Sequence, residues 1–461
     1  MTASPRTAII VGGGIAGIAA AIRLADAGVA VTLLETRKKL GGRATSFTDV
    51  RTGQVIDNCQ HVAMGCCVNY LDLIDRLGVS DRLRWLDESF WVEAGGRTSV
   101  LSPGLLPAPG HFAGSFMAAK FLTFGEKLAI ARAMAAIGRT RRARVADRVF
   151  SQWLSEHGQP SGAVRKFWEP VVVSACNLPV DRVSAGVALH VFQEGFLANR
   201  QAPRVGVSAV PLIELYDPAE AAIARAGGVI RLGVSVERLT PGSVTTSAGE
   251  VCSADIIICA TPPERTSRLA DDALRAADPR FEALGKVTHS PILGVHLTFD
   301  RPVLDFHSAV LVDRPTQWLF RKDDAGAHIH AVISAADSWL AMDEDEITRR
   351  VVADINACFP SSIGAQVLSS RPVKEKLATY APTPANERLR PTTLGPEGAR
   401  GIILAGDFVQ TGWPATMEGA TRSGYMAASS ALGQAPLDGV RPPLAISWVA
   451  RVVAPGLAST T

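Results

Sequence analysis

Gly12, Gly14 and Gly17 fall at the spacing G-x-G-x-x-G, and Glu35 follows with seventeen residues between it and Gly17. Each residue type has a physical reason to be there. Gly12 permits a tight turn, Gly14 lets the backbone approach a pyrophosphate, and Gly17 lets a helix pack closely on a strand. Ile15 and Ala16 lie between the last two glycines, where a helix N-terminus turns unpaired N–H groups toward phosphate. Glu35 would accept hydrogen bonds from ribose hydroxyls. The combination predicts a dinucleotide site.

Such a site needs a strand before the glycines, a helix after them and a second strand ending at the acid. Thr7–Val11 reads as the first strand, Ile18–Ala27 as the helix and Val29–Leu34 as the second strand. Two further segments select FAD over NAD. Thr36-Arg37-Lys-Lys-Leu-Gly-Gly42-Arg43 follows the acid directly, and Gly401-Ile-Ile-Leu-Ala-Gly406-Asp407 lies far downstream. In order and residue type they resemble flavoproteins with the two-dinucleotide fold. There, a glycine-arginine loop runs beneath the cofactor, and an aspartate after a late apolar strand takes the ribityl hydroxyls. Arg37 and Arg43 can neutralise pyrophosphate, and Gly42 allows close approach. Taken singly, the arginines read as a solvated loop and Asp407 as a helix cap.

The remaining elements are scattered. A helix is predicted over 212–226, strands over 229–232, 234–239 and 251–260, and a last strand over 402–405 with a helix after Pro414, where proline suits a first turn. Between these pieces, 121–137 and 144–156 read as helices, 292–299, 309–312 and 328–334 as strands, and 344–358 as a helix. The fold class expected is α/β. A Rossmann-like FAD-binding domain (1–95, 206–289, 396–435) would carry an inserted α+β substrate domain with a helical, membrane-facing part (96–205, 290–395) and a C-terminal tail (436–461). Residues 450–461 read as loosely ordered.

At 461 residues, two domains are expected. A net charge of +3 is too near balance for a nucleic-acid partner. Seven cysteines without a C-x-x-C pair argue against a metal site or a disulfide framework and for a reducing compartment. Met1–Arg6 is too short and polar for a signal peptide. Thr98–Ala119, the longest uncharged stretch of the first half, holds three prolines and three glycines and makes a poor membrane span. The protein is therefore read as cytoplasmic. Eight basic residues but only Glu126 and Asp147 fall between Lys120 and Arg148, interleaved with apolar residues at near-helical spacing. That pattern fits a peripheral membrane contact, or equally a solvated helix packed on its own domain.

The chain resembles the flavin amine oxidase and carotenoid (phytoene) desaturase superfamily, and within it the hydroxysqualene dehydroxylase subfamily. Three segments, about a seventh of the chain, carry the likeness: Val11–Arg43, Val55–Cys67 with its Asp57-Asn-x-Gln60-His61 core, and Ala405–Gly424. The resemblance implies FAD against Gly12, Gly14, Gly17, Glu35, Arg37, Arg43, Val236, Gly406, Asp407 and Met417. Backbone N–H groups from Ala415 through Thr416 to Met417 would face the isoalloxazine. Residues 401–426 contain neither Cys nor His, so this segment cannot attach FAD covalently.

The resemblance also implies reductive removal of an allylic hydroxyl from a lipophilic C30 isoprenoid, with electrons from an external donor. His61 is the candidate acid, since an unperturbed imidazole titrates near neutrality. Asp57 would orient it and Gln60 would hold the hydroxyl, unless both only satisfy a buried turn. Glu418 is a second acid, more simply read as complementing a helix dipole. Two alternatives stand beside this reading. One is an oxidative desaturase of carotenoid precursors. The other is an amine oxidase, whose aromatic cage is hard to build from four tyrosines.

Overall fold

A computed structural model describes residues 6–398 and 400–460. Its centre is a five-stranded parallel sheet in the order Val229–Leu232, Ala30–Glu35, Thr7–Val11, Ile256–Cys259, Ile402–Leu404. Thr7–Val11, Ile256–Cys259 and Ile402–Leu404 are short apolar runs buried almost throughout, as parallel strands covered by helices must be, while the edge strand Val229–Leu232 leaves Val229 and Leu232 exposed. Ile15–Asp26 covers one face, buried from Ile15 to Ile22 and again at Leu24 and Ala25, and packs along Met417–Ala431. Because all five strands run the same way, Val11, Glu35, Cys259 and Leu404 end on one edge. Ligands bind at that edge of such sheets.

A second, seven-stranded mixed sheet runs Val367–Tyr380, His289–Phe299, His328–Ser334, Trp318–Arg321, Ser308–Leu311, Ser89–Val92, Thr98–Leu101. Helix Glu344–Cys358 lies on it through Ile347, Val351 and Ile355. Ser89–Val92, placed by sequence in the nucleotide-binding segment, pairs in parallel with Ser308–Leu311, so this sheet recruits chain from before residue 96. A helical region over 110–197 packs around Phe150, Trp153, Trp168 and Phe192.

Several boundaries differ from the sequence expectation, each for a local reason. The first helix begins at Ile15, one turn early, with Gly14 as its N-cap in extended conformation. The strand expected over 251–260 breaks into Val251–Ser253 and Ile256–Cys259 in different sheets. Asp255 sits in the gap and accepts hydrogen bonds from the Thr7 N–H and hydroxyl. The helix expected over 212–226 is a 3-10 turn, Leu212–Leu215, followed by Pro218–Arg225, with Pro218 at its first position. A capping box between Thr123 and Glu126 starts Phe124–Ile137. The helix expected over 144–156 forms only at Phe150–Glu156. Pro414 lies outside its helix, which starts at Met417 with Thr416 as N-cap, its hydroxyl accepting from the Gly419 N–H at 3.2 Å. Nor is the tail loose: Trp448–Val453 is helical, and Ala450, Ala454 and Leu457 join the helical-region core. Thr461 and the first five residues of the polar N-terminus lie outside the described residues.

Candidate cofactor cleft and active site

The carboxyl edge of the parallel sheet opens into a cavity of about 540 Å³. Gly12 turns there with φ +109°, and a Cβ on it would stand 2.8 Å from the Ala260 carbonyl. A Cβ on Gly17 would stand 1.9 Å from the Gly12 carbonyl, so Gly17 acts from beneath the turn and does not line the cavity. A Cβ on Gly42 would come within 2.9 Å of Gly14 Cα, while one on Gly14 would meet nothing nearer than 3.8 Å. The two glycines leave a floor of bare backbone at the N-terminus of helix Ile15–Asp26, where Ile15 and Ala16 also line the wall. That floor fits a pyrophosphate.

Glu35 is pinned at one end of the cavity. It accepts from the Gly13 N–H at 2.6 Å and the Arg37 N–H at 2.8 Å. Arg37 closes its own loop by donating to the Gly42 carbonyl at 3.0 Å. Val236 lines the same end. So does Arg265, which no sequence motif flagged and which donates to the Val236 carbonyl at 2.6 Å. Gly406, Asp407, Thr416 and Met417 line the cavity from the opposite strand end and helix start.

Arg43 and Asp407, expected to meet the cofactor separately, are joined by an ion pair at 2.5 Å in the cavity wall. Arg43 also donates to the Ala378 carbonyl at 3.2 Å. Arg390 grips the backbone below, donating to the carbonyls of Asp407 at 3.0 Å and Val409 at 2.6 Å. The shape and donor set fit FAD. The glycine floor and helix N-terminus would hold the pyrophosphate, Glu35 and Val236 the adenosine, and Asp407 with the Thr416–Met417 helix start the flavin side.

The segment 57–61 reaches this cavity with one side chain, His61. Its Nδ1 lies 3.1 Å from the Cys59 carbonyl. A carbonyl can only accept, so Nδ1 carries the proton and Nε2 keeps a lone pair. Burial lowers the His61 pKa, opposed by the Cys59 carbonyl and the Asp57 and Glu375 carboxylates and reinforced by Arg43. The imidazole therefore rests neutral at pH 7, an acceptor before it is a donor.

Asp57 does not orient it. That carboxylate is filled by the Ser46 hydroxyl at 2.8 Å, the Leu212 N–H at 3.0 Å and Lys322 Nζ at 3.1 Å. Gln60 also turns away from the cavity. It accepts from Lys322 at 3.4 Å and donates to the His61 carbonyl at 3.3 Å. Asp57 and Gln60 thus fasten the loop to the second sheet. His296, donating from Nε2 to the Asp57 carbonyl at 2.9 Å, and Glu375, accepting from Asn58 at 3.2 Å, complete the fastening.

Glu418 points away from the cavity. It accepts from the Asn69 and Tyr70 N–H groups at 2.9 and 2.8 Å and from the Asn69 amide at 2.7 Å, at the start of helix Val68–Arg76. Burial pushes its carboxyl up to about 7 against those donors. All four tyrosines are spent elsewhere. Tyr70 pairs with Tyr216, Tyr425 bonds to Asp72, Tyr380 lies under Arg390, and none lines the cavity. Trp413 faces His190 at 4.6 Å. No group of ligating side chains suited to a metal ion occurs among the described residues.

A family model described as flavin containing amine oxidoreductase matches residues 15–432. The chain belongs to this family. It is therefore an enzyme, a flavin oxidoreductase with FAD as its cofactor. Among curated relatives, it is 26% identical to a 15-cis-phytoene desaturase of an Oncidium hybrid cultivar, over 92% of this chain and 78% of the relative. It is also 26% identical to a probable zeta-carotene desaturase of Synechococcus elongatus, over 92% and 98%. Two solved structures share the fold. An oxidoreductase from Methanosarcina mazei aligns with TM-score 0.70 at 16% identity, covering 91% of this chain and 98% of that one. A putrescine oxidase bound to putrescine aligns with TM-score 0.69 at 16% identity, covering 94% and 100%.

Proposed function

We propose that this flavin oxidoreductase acts on a long, apolar isoprenoid and removes the allylic hydroxyl of hydroxysqualene to give squalene. The observation that carries this reading is His61, among the described residues the one imidazole in the wall of the FAD cavity, presented by Asp57-Asn-x-Gln60-His61. Its Asn58 also braces the cofactor loop, donating to the Arg43 carbonyl at 2.8 Å. Bound FAD, reduced by an external donor, supplies the hydride.

The protein must supply a proton, since an allylic alcohol, a hydride and a proton give an alkene and water. His61 Nε2 is free to take that proton and pass it to the departing hydroxyl, while Nδ1 stays tied to Cys59. The clamp of Lys322 on Asp57 and Gln60 fixes the loop that carries it. An imidazolium would also feel the Asp57 and Glu375 carboxylates, which favour its charged form.

A second reading is oxidative desaturation of a carotenoid precursor, with electrons flowing toward FAD. One observation favours it. A neutral imidazole with a free Nε2 lone pair is ready to accept a proton without first being charged. The relatives, phytoene and zeta-carotene desaturases, point the same way.

The deciding experiment is anaerobic. Photoreduced protein mixed with hydroxysqualene should reoxidise in a single turnover and yield squalene. His61→Ala should keep its flavin and lose about 10² to 10⁴ in that rate, the usual cost of a missing general acid. Reoxidation as fast as the parent's would put the acid elsewhere. A parent that ignores hydroxysqualene while its oxidised form is bleached by phytoene would establish the desaturase.

A further inference from the structure

Helix Trp448–Val453 is patterned inside out for a free surface. It and the residue after it bury Ala450 and Ala454, while Trp448 and Val452 are each 74% exposed. A surface helix ordinarily hides its large apolar residues and shows its small or polar ones. The elements around it repeat the pattern. Ser447 bonds to the Ala108 carbonyl, and the Gly456 N–H donates to the Gly138 carbonyl at 2.9 Å. This helix therefore sits between the loop before Ala108 and the end of helix Phe124–Ile137. In that loop Leu105 is 95% and Leu106 57% exposed, and on that helix Phe124 is 71% exposed. Inward-facing Ile130, Ala133 and Ile137 share one core with Ala450 and Ala454. The exposed side chains thus lie on the outside of one packed body.

Charge selects the occupant of this face. Lys120, Arg132, Arg139, Arg141 and Arg144, on or beside the helix that carries Phe124, and Arg451, on the C-terminal helix itself, are exposed. Of the two acids between Lys120 and Arg148, Glu126 is engaged in its capping box and Asp147 in an ion pair with Arg388. A second copy of the chain would bring one basic cluster against another across a two-fold contact. An apolar patch ringed by cations instead matches acyl chains beneath anionic headgroups, with tryptophan at the boundary between them.

We propose that this face docks on an anionic lipid surface, the C-terminal helix and the 105–106 loop entering the headgroup boundary beside the basic helix. No described helix is long and apolar enough to cross a membrane, so the contact is interfacial.

The test uses the full-length, FAD-loaded protein and flotation with vesicles of phosphatidylcholine, alone or with about a third phosphatidylglycerol. Binding is expected to the anionic vesicles, weakened by salt, with a blue shift of Trp448 emission. Phe124→Asp combined with Trp448→Asp should weaken binding about tenfold or more, while flavin content and thermal midpoint stay at the parent's values. Both positions are exposed and neither lines the cofactor cavity, so the fold should tolerate the change. Failure of the parent to bind anionic vesicles would overturn the proposal, as would undiminished binding by the double variant. A parental dimer that Phe124→Asp with Trp448→Asp dissociates, without vesicle binding, would assign the face to self-association instead.

Discussion

Glu35 shows how much one residue can be asked to do. Its carboxylate already accepts from two backbone N–H groups in the turn it faces, so it enters the cavity pre-aimed. Glu35→Ala should therefore weaken FAD binding by about ten- to hundredfold, the worth of a buried charge-assisted hydrogen bond. Titration of the apoprotein by flavin fluorescence quenching measures it. An unchanged Kd would leave Glu35 only a brace for the glycine turn. Residues of this kind were legible in the sequence because phosphate and ribose impose a fixed local spacing. Lys322 and Arg390 were not. Lys322 meets Asp57 across 265 positions of chain, and Arg390 grips backbone carbonyls, which carry no side-chain signature. The role expected of Asp57 failed for the same reason, because its partner could not be seen from the motif in which it stands.

The helix Met417–Ala431 is where sequence and structure come closest while still differing. Its role was readable from Gly-Asp followed by a helix start, but its first turn was placed at the proline. Thr416 takes that position because its hydroxyl can accept an N–H and proline has no such group. The segment 401–426 lacks Cys and His, and its Tyr425 bonds to Asp72 and does not line the cavity. Acid precipitation should therefore leave the yellow colour in the supernatant, and colour held in the washed pellet would refute non-covalent binding. The last helix was missed because its inward residues are alanines. They pack well but give no hydrophobic period to read.

At the scale of the molecule, the two sheets meet through the 57–61 loop, and histidine chemistry is built into that junction. His296, stacked on His330 with ring centroids 3.9 Å apart, donates to the Asp57 carbonyl. Burial lowers its pKa to about 4, with His328 and Lys322 adding to the effect and the Asp57 carbonyl opposing it. The unfolded chain would bind this proton near pH 6.5, so His296 costs nothing above that value. It withdraws stability as pH falls toward 4. At pH 5 the loss is about 2 kcal/mol, from roughly 1.4 kcal/mol for each pH unit. His296→Gln keeps a donor for the carbonyl and should shrink the difference in urea stability between pH 7 and pH 5 by that amount. Equal differences in parent and variant would clear His296 of the effect. The discontinuous nucleotide domain was legible in outline, because its strands are short apolar runs with marked ends. The strand Ser89–Val92 was not, since its partner lies more than two hundred residues downstream. The parallel sheet itself has a consequence for how the protein is made. Its first strand is Thr7–Val11, its last is Ile402–Leu404, and the wall at Thr416 and Met417 comes later still. A ribosome must therefore release the chain through Met417 before the cleft has its second side. Cofactor capture waits for that point, and until then the emerging chain carries a glycine turn with no flavin to close around.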